Sequence, residues 1–195
     1  MGASGRVTEA PTPVTGGATP GTDDPAARDQ LILVDLADRQ VGTGEKLDVH
    51  LRGQLHRAFS VFLFDGDRLL MQRRALGKYH SGGLWTNTCC SHPRAGEGLE
   101  EAVPRRLAQE LGIAGAECRE VGAFCYRAAF ANGITEFEWD HVFVGEWAGA
   151  PDPDPAEVMG WRWMDVVEVE EWLLARPQEL TAWFPTALPI ALAGR

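Results

Sequence analysis

The stretch WTNTCCSHPRAGEGLEEAVPRRLAQELGI, residues 85–113, decides how the chain is read. It opens with strand-like residues, passes through Cys90 and His92, turns at Pro93–Gly98 and continues into a helix carrying Arg105, Arg106, Gln109 and Glu110. Leu99, Ala102, Val103, Leu107 and Leu111 fall at helical spacing, and Gly112 is placed to end the helix. Pro104 lies inside, where its missing N–H predicts a kink or a lost hydrogen bond. In the extended part side chains alternate, so Cys90 and His92 share one face and Cys89 packs inward. A thiol, an imidazole and a string of carboxylates in one strand-turn-helix unit mark a site rather than a scaffold.

Immediately upstream, FSVFLF (59–64) reads as a strand, Asp65–Gly66–Asp67 as a hairpin turn, RLLMQRR (68–74) as the returning strand and ALGKYHSGG (75–83) as a polar loop. Further back, LILVDL (31–36) suits a buried strand, and the turn-rich DRQVGTGEK forms a loop leading to Glu45–His50. Downstream, residues 120–130 and 134–147 flank the turn Ala131–Asn132–Gly133 as a second long hairpin. PDPDP breaks the chain at 151–155, WRWM (161–164) is a short strand, and Asp165 caps a helix that Pro177 stops after Arg176. The last segment, 178–192, is helical but interrupted by Pro185 and Pro189. Strands and helices are mixed without regular alternation, which predicts an α+β chain, an α/β/α sandwich with helices flanking a mixed sheet. Residues 1–28 are rich in Gly, Ala, Thr, Pro and Asp and are expected to be a disordered tail; residues 29–195 make a single domain.

Composition narrows the partners. A net charge of −10 and an isoelectric point near 4.9 argue against nucleic acid or an anionic membrane as a general partner, leaving room for a local basic patch on a phosphate. Four cysteines, at 89, 90, 118 and 125, are few for a disulfide scaffold, which points to a reducing, cytoplasmic setting; Cys118 and Cys125 read as small buried hydrophobes. No apolar run approaches the roughly 18 residues of a membrane span. A monomer is expected.

Along a strand, Glu136 and Glu138 project together while Thr135, Phe137 and Trp139 face the other way. Two neighbouring carboxylates repel, and a cation resolves the repulsion. With His50, His56 and His92 they make an N/O donor set suited to Mn²⁺, Mg²⁺, Fe²⁺ or Zn²⁺. The same residues read equally as a solvated carboxylate pair and scattered surface histidines, and His80 and His141 are as eligible by composition. Arg106 and Glu110 lie one helical turn apart, either as an ordinary ion pair or with Glu110 on a divalent cation and Arg106 on a phosphate. Lys46, Arg74 and Lys78 are further candidates to clamp an anion, against the default of solvated surface charge.

GEGLEEAVPRRLAQELGI (96–113) resembles a Nudix box, the loop-helix signature for a metal-bound diphosphate, with Glu97, Arg105, Glu110, Gly112 and Ile113 at the motif's spacing. Ser91 stands where its first Gly is expected, and Arg106 and Gln109 replace two acidic residues. Over residues 31–188 the pattern is similar to type 1 isopentenyl-diphosphate isomerase, built on the Nudix fold, through LWTNTCCSHP (84–93), QRRALGKY (72–79), YRA (126–128), GITEFEWD (133–140), EVMGWRWMD (157–165) and TAWF (181–184). The gap between His50 and His56 is one residue shorter than the family pattern.

The resemblance implies an enzyme that interconverts isopentenyl and dimethylallyl diphosphate, a small prenyl diphosphate substrate being its partner. It implies one Mn²⁺, Mg²⁺ or Zn²⁺ on His50, His56, His92, Glu136 and Glu138, and Mg²⁺ on Glu110 and the Cys90 carbonyl, bridging to the diphosphate. Lys46, Arg74, Lys78 and Arg106 would contact the diphosphate, Cys90 and Glu138 would be the acid/base pair with Tyr126 beside Glu138, and Trp183 would cover the hydrocarbon. The competing readings are a Nudix pyrophosphohydrolase acting on a prenyl or nucleoside diphosphate, whose mark is an intact acidic cluster, and a non-catalytic diphosphate-binding module, whose mark is the absence of Cys90 or Glu138.

Overall fold

A computed structural model describes residues 29–195, so the expected tail lies outside the described residues. The elements are β1 (Gln30–Val34), β2 (Gln40–Glu45), α1 (Lys46–Arg52), β3 (His56–Asp65), β4 (Arg68–Arg74), β5 (Trp85–Thr86), β6 (Cys89–Ser91) and α2 (Leu99–Leu111). They continue as β7 (Cys118–Ala129), β8 (Thr135–Glu146), β9 (Val158–Asp165), α3 (Val166–Ala175), a 3-10 turn (Pro177–Glu179) and α4 (Phe184–Gly194).

Strand β3 is the axis of a mixed sheet. Its apolar run is buried on both faces, as a central strand requires. Phe59, Val61 and Leu63 join Ala102, Val103, Leu107 and Leu111 of α2, while Phe62 and Phe64 join Val169 and Trp172 of α3 and Phe184, Ala187 and Leu188 of α4. The sheet is thereby sandwiched between α2 and the α3–α4 pair. A helix of this length is marginal alone, and burial of Leu107 and Leu111, about 2 kcal/mol each, holds α2 in place.

The β3–β4 hairpin forms as expected at its turn, with Phe64 opposite Leu69 and Asp65 opposite Arg68, and then splays apart. The segment 85–91 fills the split: β5 pairs with β4 and β6 with β3. Thr88 is the wedge. Its hydroxyl accepts from the Leu63 N–H at 2.9 Å and donates to the Leu70 carbonyl at 2.7 Å, replacing the ladder bonds lost where the strands part. Asn87 donates to the Val61 and Cys89 carbonyls at 3.1 and 2.7 Å. On the other side of β3, β8 runs parallel, from His56 opposite Glu138 to Phe64 opposite Glu146. The Cys90 strand and the Glu138 strand therefore flank β3 from opposite sides.

Several local expectations are corrected. The turn-rich run after Asp38 contains β2, and Glu45 caps α1 by accepting from the Leu47 and Asp48 N–H groups at 3.4 Å. Helix α2 runs continuously through Pro104, so only the hydrogen bond from that position is lost. Likewise α4 continues through Pro189, with Pro185 in its first turn, where a missing N–H costs nothing. Asp165 stands at the N-cap of α3, yet its side chain makes no capping bond. Cys118 is half-buried and Cys125 exposed, because β7 is covered by α4 along only part of its length. Gly112 ends α2 at φ 65° as expected, its N–H bonding the Ala108 carbonyl.

Candidate active site

Where β3 and β4 part, a cavity opens. It is lined by Cys90 and His92 from the inserted segment, Ser60 from β3, Glu136, Glu138 and Asp140 from β8, Tyr126 from β7 and Trp183 ahead of α4. Lys46, Arg74, Lys78 and Arg106 complete the wall. The alternation expected for the cysteines holds: Cys89 is buried in the core against α2, and Cys90 faces the cavity. The enclosed space is about 40 Å³, room for a few waters, so a larger ligand enters only if wall side chains such as Arg74 and Lys78 shift.

At one end the imidazoles converge. His50 Nδ1 donates to the Lys46 carbonyl at 2.6 Å and His56 Nδ1 to the Gln54 carbonyl at 2.8 Å. A carbonyl only accepts, so in both rings Nδ1 carries the proton and Nε2 presents its lone pair. His56 Nε2 and His92 Nε2 are 3.2 Å apart, and Glu138 Oε1 is 2.7 Å from His92 Nε2. Donor atoms of His50, His56, His92 and Glu138 all lie within 4.8 Å of one another, and those of His50, His80 and Glu136 form a second, overlapping group. Burial holds His50 and His92 well below the ordinary histidine range, with neighbouring imidazoles adding to the effect, so these rings are neutral. Neutral imidazoles aiming lone pairs at buried carboxylates form a donor set that fits a divalent cation.

Helix α1 delivers His50 to the cluster from its C-terminal turn. Tyr126 ties the two carboxylates together, its hydroxyl lying 2.9 Å from Glu136 Oε2 and 2.5 Å from Glu138 Oε2. Burial pushes Glu138 upward, but its hydrogen-bonding neighbours, the Tyr126 hydroxyl among them, outweigh it and hold the carboxyl below its usual value. The Cys90 thiol behaves oppositely. Burial, reinforced by Glu110, Glu136 and Glu138, raises it far above the ordinary cysteine value despite Arg74, whose Nη1 is 3.4 Å from the sulfur.

The cationic end is likewise partnered. Arg106 pairs with Glu110 at 2.6 Å and reaches Glu157 at 3.4 Å, while Lys78 pairs with Glu157. Glu110 also accepts from Gln72 Nε2 at 3.2 Å and is not in either His/Glu group. The Arg74 guanidinium lies 5.4 Å from the centre of the Trp183 ring, and its buried Nε has no hydrogen-bond partner among the described residues. Trp183 is held by its Nε1–H on Asn87 Oδ1 at 3.0 Å.

Of the two histidines eligible only by composition, His80 joins the site, with Nε2 2.9 Å from Glu136 Oε1. His141 stands apart between Glu120 and Asp38. Three groups escaped the sequence reading. Asp140 continues the Glu136–Glu138 alternation, a signal that could have found it, and accepts from Ser60 Oγ at 2.8 Å. Glu157 and Asn87 carry no local pattern that announces their roles.

Residues 54–184 match the NUDIX domain family. The chain is 54% identical over 157 residues to isopentenyl-diphosphate Delta-isomerase of Burkholderia multivorans, covering 80% of this chain and 89% of that protein. It is 49% identical to the protein of that name from Photobacterium profundum, with 82% and 92% covered. Among solved structures, a Deinococcus radiodurans protein superposes with a TM-score of 0.68 at 22% identity, over 84% of this chain and 99% of that one. A MutT NUDIX hydrolase from Burkholderia pseudomallei does so with a TM-score of 0.55 at 23% identity, over 70% and 97%. These two share the Nudix fold. The arrangement of the sheet, the cavity residues and the level of identity agree: the chain belongs to the isopentenyl-diphosphate Delta-isomerase family of NUDIX-domain proteins.

Proposed function

We propose that the protein interconverts isopentenyl and dimethylallyl diphosphate, a step of isoprenoid biosynthesis, by adding a proton at one carbon and removing one from another through a tertiary carbocation. The observation that carries this reading is the placing of Cys90 and a Tyr126-bound Glu138 on strands that flank β3 from opposite sides, in one cavity with four cations. An unactivated alkene has no carbonyl to acidify its hydrogens, so the reaction needs a positioned acid, a positioned base and exclusion of water.

In the resting form the Cys90 thiol carries the proton and Glu138 is ionised. The thiol is then the group able to give a proton and the carboxylate the group able to take one. Turnover in the other direction begins with the proton on Glu138 and uses the pair in reverse order. Trp183, locked by Asn87, presents its ring to the developing cation, an interaction worth about 2 kcal/mol when desolvated. Lys46, Arg74, Lys78 and Arg106 grip the diphosphate and hold the reacting carbons between the two groups.

His50, His56, His92, Glu136 and Glu138 would hold Mn²⁺, Mg²⁺ or Zn²⁺, and Glu110 with the Cys90 carbonyl would hold the Mg²⁺ that accompanies the diphosphate. Such cations supply neutralisation of the carboxylate pair and of the diphosphate charge. A monomer in a reducing cytoplasm is part of the same reading, and four unpaired cysteines suit that compartment. Incubation with isopentenyl diphosphate and Mg²⁺, followed by proton and phosphorus NMR, tests the reading. Appearance of dimethylallyl diphosphate with no free phosphate is the expected result. Release of phosphate or pyrophosphate would identify a hydrolase, and an unchanged substrate a binding module.

A further inference from the structure

His80 sits in the loop between β4 and β5, buried with 6% of its surface exposed and packed against Phe130, whose ring centre is 5.1 Å away. Its Nε2 lies 2.9 Å from Glu136 Oε1, while the other oxygen of that carboxylate takes the Tyr126 hydroxyl. The loop is tied on both sides of His80. Asn132 donates to the Tyr79 carbonyl at 2.6 Å, Arg74 donates to the His80 carbonyl at 3.5 Å, and Ser81 is held at φ 53°, a left-handed conformation unfavourable for a non-glycine residue. Strain next to a buried polar ring points to a geometry maintained for use.

The tautomer separates His80 from His50 and His56. In His50 and His56 the outer nitrogen faces a backbone carbonyl and must be N–H, which frees Nε2 as a lone-pair donor. In His80 the outer nitrogen faces Ser81 Oγ at 3.4 Å, a hydroxyl that can donate. Because the Glu136 carboxylate oxygen at Nε2 only accepts, Nε2 carries the proton and donates to Glu136, and Nδ1 is left to accept from the Ser81 hydroxyl.

We propose that His80 is a positioning residue that fixes the Glu136 carboxylate by a hydrogen bond, orienting it for the divalent cation without itself ligating the metal. This rests on the metal reading of the His/Glu cluster. Partners that orient a metal ligand are typically worth about 10- to 100-fold in metal affinity.

The test uses the full chain, stripped of metal and titrated with Co²⁺ against a competing chelator, with the visible absorption of the bound ion recorded. His80→Phe, which fills the same space without the donor, is expected to weaken Co²⁺ binding about 10- to 100-fold. His80→Gln, whose amide Nε2 reaches the same place, is expected to restore affinity and leave the absorption bands at their wild-type wavelengths. Unfolding of each metal-free variant is followed in parallel; if His80→Phe does not fold, the comparison of His80→Gln with His80→Ala carries the test. Wild-type affinity in His80→Phe would overturn the inference. So would a His80→Gln protein that binds as weakly as His80→Phe with shifted bands, since that marks His80 as a ligand. A wild-type protein that takes up no Co²⁺ would instead sink the metal reading on which the inference stands.

Discussion

The most informative single substitution is Tyr126→Phe. The Tyr126 hydroxyl has two acceptors, Glu138 Oε2 at 2.5 Å and Glu136 Oε2 at 2.9 Å, but only one proton to share between them. The loss is therefore that of one charge-assisted hydrogen bond, about 1.5–3 kcal/mol. Because the phenyl ring keeps the packing and each carboxylate keeps an imidazole on its Oε1, His80 at 2.9 Å and His92 at 2.7 Å, the fold should survive. If the bond serves the reacting state, the whole cost appears in turnover, and about 1.4 kcal/mol per factor of ten converts it to a drop of roughly 10- to 150-fold in kcat with little change in KM. The assay is conversion of isopentenyl diphosphate followed by NMR, with metal content measured on the same preparation. A variant that keeps its metal and turns over within about twofold of wild type would refute the role given to Tyr126, since the lower bound of the worked range is about tenfold.

The adjacent cysteines should separate chemistry from packing: Cys90→Ala is expected to abolish isomerisation, whereas Cys89→Ala should cost about 1 kcal/mol of stability and leave turnover intact. The reverse outcome would mean that the strand register of 89–91 is wrong. Thr88→Val keeps the shape but orphans the Leu63 N–H and the Leu70 carbonyl, so it should destabilise by at least about 2 kcal/mol, lowering Tm by roughly 4–8 °C or more, while Thr88→Ser retains both bonds. Equal melting of Thr88→Val and wild type would dispose of the wedge. The Lys46 ammonium is lowered to about 8, chiefly by burial and then by the neighbouring Lys78 and Arg106 cations. It is charged below that value and loses its grip on a diphosphate above it, so kcat/KM should fall as pH rises through about 8. Lys46→Arg should move that alkaline limb upward, and an unmoved limb would assign it elsewhere.

The alternation of side chains along extended segments carried most of what could be read from the sequence. It placed Cys89 in the core and Cys90 on the cavity wall, and it set Glu136 and Glu138 together. The hairpin turns at Gly66 and Gly133 were equally legible, because left-handed backbone at φ 58° and 84° demands a residue of that kind. What could not be read is long-range. The split between β3 and β4, sealed by Thr88 and Asn87, has no local signature, since a hydroxyl standing in for a ladder bond looks like any threonine. Glu157 reaches Lys78 from across the molecule for the same reason. Propensity alone predicts an interruption of the last segment at Pro185 and Pro189, but burial of Leu188 and Ala191 overrides the one hydrogen bond missing at Pro189; at Pro104 the expected lost bond is tolerated in the same way by burial of Leu107 and Leu111.

The central claim is that proton delivery and proton removal come from opposite sides of the bound chain, Cys90 beyond one edge of β3 and Glu138 beyond the other. The most direct measurement is the stereochemical course of the reaction in deuterated water, using isopentenyl diphosphate carrying tritium at one defined position of its terminal methylene, so that the new methyl is chiral, and a label at a single hydrogen of the carbon that loses its proton. The account predicts that deuterium arrives on one face of the allylic unit and the proton leaves from the other. Addition and removal on the same face would mean that a single group performs both transfers, and would contradict it.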